Sequence, residues 1–368
     1  MSAALIDLVS VGAQDVYITG DPQVSFFRQN YKRHTNFAIK PERLDYIGSF
    51  KAGAEIKIPI RSKGDLLSYV WLEGTNINTH HEVAATTSLF NSRSNPTEFS
   101  LWIGGQEVCK LDALYIAGVH NVLYNESQAK ASTATNTRGV ELNSSTGSYV
   151  IPFFFSEDWT KSLPLVALQY HEVEIRIKCR TGGSSELGEI APKAYASYVY
   201  LDTAEREFFA NNEHELLITQ TQYQPMNKND TSVDLSYFNH PVKAVHIAAS
   251  TESTIWSFTE GTMYINGTPL FENMTSEYHT KVVPGRHCSV LPFAFDNPEP
   301  VATWPFCLTM NKSQPTGSLN FSRIDSAKLD LKGTENGGSG AVGAVRAYGV
   351  NYNILRVKNG MGGVAFGN

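Results

Sequence analysis

"WIGGQEV", residues 102–108, is a hairpin spelled in seven letters. Trp102-Ile103 runs into Gly104-Gly105, and Gln106 to Val108 runs back out. A Gly-Gly pair tolerates the positive φ angles that a two-residue hairpin turn demands. The plan returns at "YINGTPL", residues 264–270, with Asn266-Gly267 as the turn. Three further pairs follow in the same order. "YVIPFFF" (149–155) matches "SVLPFAF" (289–295). "LQYHEVEIRIK" (168–178) resembles "LNFSRIDSAKLDLK" (319–332), and "AYASYVYL" (194–201) resembles "AVRAYGVNYNIL" (344–355). The offset is roughly 140–160 residues, about the length of one domain. Four matches in register predict a tandem duplication of one β-rich unit.

The surrounding sequence predicts the same class. "AEIKIPI" (54–60), "HEVEIRIK" (171–178), "SYVYL" (197–201) and "AKLDLK" (327–332) alternate apolar and polar residues with period two, as half-buried strands do. No long helical pattern competes, so the chain reads as an antiparallel sandwich or barrel. The expected division is an arm over 1–24, a first copy over 25–205 and a second over 206–368. "LDTAEREFFANNEHEL" (201–216) is the acidic connector, short and helical or irregular. Segment 125–147 is rich in Ser, Thr and Asn and reads as an exposed loop. "KGTENGGSGAVGA" (332–344) reads as a flexible hairpin tip.

Composition excludes several classes. The chain has 368 residues, 42% hydrophobic and 18% charged, with net charge −6. That supports a sizeable core and argues against disorder. It also argues against coating nucleic acid, where phosphate neutralisation supplies most of the affinity. There is no apolar run of 18 residues and no basic n-region of a secretory signal. Cys109, Cys179, Cys288 and Cys307 are scattered, which fits free thiols rather than a zinc site or disulfide framework.

A search for chemistry finds little. Metal-binding sandwiches need imidazoles and carboxylates converging from adjacent strands. His80-His81-Glu82, His171-Glu172 and His214-Glu215 are runs of adjacent residues, and neighbours on a strand point to opposite faces. No phosphate-binding glycine loop is present, and "GGSGA" (337–341) is not a nucleophile elbow. No cofactor, metal or catalytic residue is therefore expected, and the chain reads as a non-enzyme. Among the N-x-S/T sequons, Asn125 and Asn143 lie in the polar loop and are the candidate glycosylation positions.

The densest charged-aromatic stretch is "FFRQNYKRHTNFA", 26–38. Asp21-Pro22 has the form of an N-cap with Pro at the first helical position. Val24, Phe27 and Tyr31 then share one helical face, with Arg28 and Lys32 on another. The expectation is a strut, rings anchored on the sandwich and charges outward, with the first strand starting after Pro41. Arg28, Lys32, Arg33 and His34 are the candidate contact residues. Residues 1–20, with Leu5, Leu8 and Val9 at helical spacing, are expected to form an arm that orders on a neighbour.

"GAQDVYITGDPQVSFFRQNYKRHTNFA" (12–38) resembles the N-terminal signature of the major capsid proteins of nucleocytoplasmic large DNA viruses. "YVYLDTAERE" (198–207), "YFNHPVKAVHI" (237–247), "LNFSRIDSAKLDL" (319–331) and "YGVNYNILRVKNGMGGVAFGN" (348–368) extend the resemblance along the chain. It implies an all-β fold of two tandem eight-stranded antiparallel jelly rolls, a double jelly roll, with short helices in loops. It implies a homotrimer forming a pseudo-hexagonal capsomer in an icosahedral virion capsid, assembled in the host cytoplasm. Its partners would be neighbouring capsomers, minor capsid and penton proteins and an internal membrane surface, with no direct nucleic acid. It places the 28–34 strip on the inner face of the shell. The chain is short for this family, which implies reduced outer loops. The alternatives are a minor capsid paralogue, or a carbohydrate-binding viral β-sandwich attachment module using aromatics such as Trp256 or Trp304.

Overall fold

A computed structural model describes residues 10–74, 96–124, 148–181, 191–226, 230–249, 256–288, 301–336 and 345–367. The chain divides into two compact units, Met1–Asn36 and Phe37–Asn368. In the first unit, every described residue is exposed. Among its described residues, a helical turn, Val16–Thr19, ends at Gly20. The helix expected after Asp21 does not form. Asp21 has φ +47°, whereas an N-cap residue sits in the extended region while its carbonyl accepts the first helical bond.

The second unit carries sixteen principal strands. The first eight are β1 (Phe37–Leu44), β2 (Glu55–Ile60), β3 (Leu66–Glu73), β4 (Glu98–Ile103), β5 (Gln106–Asp112), β6 (Ser148–Ile151), β7 (Val173–Lys178) and β8 (Lys193–Leu201). The next eight are β9 (His214–Met226), β10 (Ser232–Asp234), β11 (Pro241–Ala249), β12 (Glu260–Ile265), β13 (Thr268–Thr275), β14 (Ala302–Pro305), β15 (Ala327–Lys332) and β16 (Val345–Lys358). All pair antiparallel. The first set forms sheets of order β1-β8-β3-β6 and β2-β7-β4-β5. The second forms β9-β16-β11-β14 and β10-β15-β12-β13. Renumbered within its own half, each set reads first-eighth-third-sixth and second-seventh-fourth-fifth. That order is a jelly roll, and it occurs twice.

The repeated motifs fall on equivalent strands. Gly104-Gly105 and Asn266-Gly267 join the fourth and fifth strands of their halves, between the pairs Ile103–Gln106 and Ile265–Thr268. All four turn residues have positive φ, the backbone of a type I′ turn. The third and fourth motif pairs supply the seventh and eighth strands of each half. "SVLPFAF" lies outside the described residues, as do Asn125, Asn143, His80-His81-Glu82, the 125–147 loop and most of the 332–344 tip.

Alternation drives the sandwich together. Ile56, Ile58, Phe99, Leu101, Ile175 and Ile177 leave one sheet to bury against Leu67, Val70, Leu72 and Tyr198 from the other. Val245, Ile247, Met263, Trp304, Leu329 and Ala347 do the same in the second half. One strand starts earlier than its sequence suggested. β1 includes Pro41, opposite Ser197. It lies at a sheet edge, where a missing N–H costs no ladder bond. The connector forms a helix, Thr203–Asn211, N-capped by Asp202.

Candidate functional site

Among the described residues no group of three or more His, Cys, Asp or Glu side chains could hold a metal ion. The ordered chemistry lies instead along the seam between the two halves. Ile218, Tyr348, Val350, Leu355 and Val357 of β9 and β16 belong to the same apolar cluster as the first sandwich. The first core therefore extends into the second half.

A buried ion pair pins this seam. Asp112, the last residue of β5, is 2% exposed. It accepts from the Tyr115 backbone N–H at 2.6 Å, from Arg346 Nη1 at 2.7 Å and from the Tyr348 hydroxyl at 2.8 Å. Burial pushes the Asp112 carboxyl above its ordinary value, and the charge of Arg346 opposes that shift. The Arg346 guanidinium also lies 4.3 Å from the centre of the Tyr223 ring. The Tyr223 hydroxyl donates to Glu98, which pairs with Lys110 at 3.0 Å. Removing a buried ion pair from water is costly, and only additional hydrogen bonds offset the loss. Here the carboxylate has three donor groups.

Beside it, Gln220 of β9 donates to the Val108 carbonyl at 2.6 Å and accepts from Asn353 at 2.9 Å and Asn351 at 3.3 Å. Thr221 donates to the Lys110 carbonyl, and Thr219 to Glu157. Farther along, the helix Ile116–Tyr124, wound with π-type turns, packs on β11. Tyr124 Oη lies 2.7 Å from His246 Nε2, and His246 Nδ1 lies 2.9 Å from the Thr303 hydroxyl. Burial, reinforced by Lys243, lowers the His246 pKa to about 3.

The chain end closes the seam. β16 turns back through Asn359-Gly360 into a short strand, Met361–Val364. The Tyr170 N–H donates to the Gly360 carbonyl at 3.0 Å. His171 Nδ1 lies 2.9 Å from the Gly362 carbonyl. A Cβ at Gly104 would fall 2.3 Å from that same ring nitrogen, and one at Gly362 only 2.6 Å from Leu168 Cδ2. His171, weighed as a metal ligand from sequence, is a wedge between two glycine-containing backbones. His214 and Glu215 also part company: the ring lies 2.8 Å from the Phe209 carbonyl, and the carboxylate pairs with Arg356.

The structure rearranges the sequence candidates. Arg28, Lys32, Arg33 and His34 are all exposed in the first unit. No helix gathers the rings of Phe26, Phe27 and Tyr31, which are 93%, 99% and 74% exposed. The helix expected to set rings on one face and charges on another is absent over these residues. Trp304, considered for sugar stacking, is fully buried in β14, 4.3 Å from the His279 ring and stacked on Phe258. It presents no face to a ligand. Asn351 and Asn353, noted only as family-like sequence, are buried members of the seam. Asp112 and Arg346 went unnoticed. Their signal was charge placed within otherwise apolar strand ends.

Comparison with known proteins follows the same lines. Residues 25–202 match the family described as major capsid protein N-terminus, and residues 247–363 match large eukaryotic DNA virus major capsid protein. The major capsid protein of Pyramimonas orientalis virus is 30% identical over 409 residues, covering all of both chains. That of Paramecium bursaria Chlorella virus 1 is 28% identical over 457 residues, again covering both completely. In the PBCV-1 virus capsid quasi-atomic model, a chain 23% identical superposes with TM-score 0.74, covering 94% of this chain and 100% of that one. The Faustovirus major capsid protein, 10% identical, gives TM-score 0.59 over 95% of each chain. With the duplicated eight-strand order and the whole-length match together, the chain belongs to the major capsid proteins of large eukaryotic DNA viruses.

Proposed function

We propose that this chain is a shell block which acts as a homotrimer, three double jelly rolls forming one pseudo-hexagonal capsomer of an icosahedral capsid. The observation that carries this is the duplicated strand order joined by a buried seam. Two similar units per chain, times three chains, present six similar edges, and such a block tiles a near-hexagonal lattice with only threefold symmetry. The working division is an arm over 1–24 and jelly rolls over 25–205 and 206–368. Neighbouring capsomers, minor capsid proteins and penton proteins are the expected partners, and assembly takes place in the host cytoplasm. The role is structural, without catalysis. Arg28, Lys32, Arg33 and His34 are assigned to the inner face, and Asn125 and Asn143 to glycan attachment. The test is the mass of the purified protein. A particle of three times 40.6 kDa that forms hexagonal arrays under the electron microscope supports the reading. A stable monomer at micromolar concentration overturns it.

A further inference from the structure

The described residues of the first unit include apolar side chains, and none of them is buried. Besides Phe26, Phe27 and Tyr31, it exposes Tyr17 at 93%, Ile18 at 86% and Val24 at 66%. Exposed apolar groups gathered in one segment mark a surface that is covered in use. The charge around them is one-sided. From residue 22 to residue 41, between Asp21 and Glu42, there is no acid, while Arg28, Lys32, Arg33 and Lys40 are cationic, in a chain of net charge −6. Among the described residues, Arg28, Lys32 and Arg33 make no ion pair.

Ring and charge are also interleaved. Phe27 is followed by Arg28, and Tyr31 by Lys32 and Arg33. With no helix or strand over residues 20–36, they are not segregated onto separate faces. A protein groove would need alternating apolar and acidic pockets to receive them. The headgroup layer of an anionic bilayer accepts both at one depth: aromatic rings settle at the interface and cations meet lipid phosphates. Single-stranded nucleic acid also combines stacking with charge and is the competing occupant.

We infer that residues 24–34 form an interfacial anchor for an anionic lipid surface, carried by the exposed rings Phe26, Phe27 and Tyr31 set among Arg28, Lys32 and Arg33. Among the described residues no helix is long and apolar enough to cross a membrane, so the association is at the surface. The inference deepens the shell reading, because it assigns the inner-face contact of that block to lipid.

The test is sedimentation of the full-length protein with vesicles of phosphatidylcholine and phosphatidylserine at 70:30, against pure phosphatidylcholine. Binding is expected only to the anionic vesicles and should weaken with added salt. The variant Arg28→Gln/Lys32→Gln/Arg33→Gln should lose about 100-fold in partitioning, at about fivefold for each of the charges removed. Phe26→Ser/Phe27→Ser/Tyr31→Ser should also bind more weakly while keeping its salt dependence. Melting temperature and particle mass are read on the same samples, so lipid binding and trimer formation fail or succeed separately. Equal binding to neutral vesicles, unchanged binding by either variant, or binding to single-stranded DNA or RNA without lipid binding would overturn the anchor.

Discussion

Replacing Asp112 by Ala tests whether the seam holds the two jelly rolls together. The substitution strands Arg346 and the Tyr348 hydroxyl without their acceptor and uncaps the turn at Tyr115. Both charged partners are nearly sealed from water, with side-chain exposures of 2% and 11%, so solvent screening discounts little. Breaking such a pair from one side costs about 3–5 kcal/mol. At about 2.1 cal/mol/K per residue, unfolding entropy for 368 residues is about 0.8 kcal/mol/K. The melting temperature should therefore fall by about 4–6 °C. Asp112→Asn keeps an acceptor for Tyr115 and Tyr348 but leaves the guanidinium uncompensated, and should fall between wild type and Ala. In the cycle with Arg346→Met, the double variant should lose clearly less than the two single losses added. The assay is scanning calorimetry at matched protein concentration. A shift below 1 °C for Asp112→Ala, or strict additivity in the cycle, refutes the reasoning.

Further outcomes are expected. Gly362→Ala forces a methyl against Leu168 and should cost about 1–3 kcal/mol, whereas at Gly363 the methyl meets only the Gln106 amide at 3.2 Å and should be nearly neutral. Limited proteolysis at the chain end reports both. His246 and His279 are buried neutral, with pKa lowered by burial to about 3 and about 4 from 6.5. Their stabilising contribution is complete above pH 6.5 and is lost as pH falls toward those values, costing about 2 kcal/mol each by pH 5. His246→Gln should therefore show a shallower drop in melting temperature between pH 7 and pH 5 than wild type. Cys109, Cys179 and Cys307 are buried and Cys288 is partly exposed, so a thiol reagent should label at most Cys288 before unfolding.

Much of the fold was legible because strands announce themselves by period. The 54–60, 171–178 and 327–332 alternations became β2, β7 and β15 almost residue for residue, and both type I′ turns were visible as Gly-Gly and Asn-Gly. Pro41 misled because a proline reads as a strand boundary unless the strand is known to be an edge. Asp21-Pro22 misled because a capping sequence specifies a helix only when its backbone takes the extended cap conformation. The seam was invisible for a different reason. Asp112 and Arg346 stand 234 positions apart, and no local pattern reports that two strand ends will meet. The basic-aromatic strip was found by composition alone, but its lack of burial required coordinates.

The apolar continuity across the two sandwiches bears on how a closed shell bends. A junction filled by Tyr348, Val350 and Leu355, and cross-tied by Gln220 and Arg346, resists tilting of one roll against the other. The two rolls of one chain then move together as one stiff body. In a shell of such chains, curvature would then be taken up between neighbouring copies and not within one.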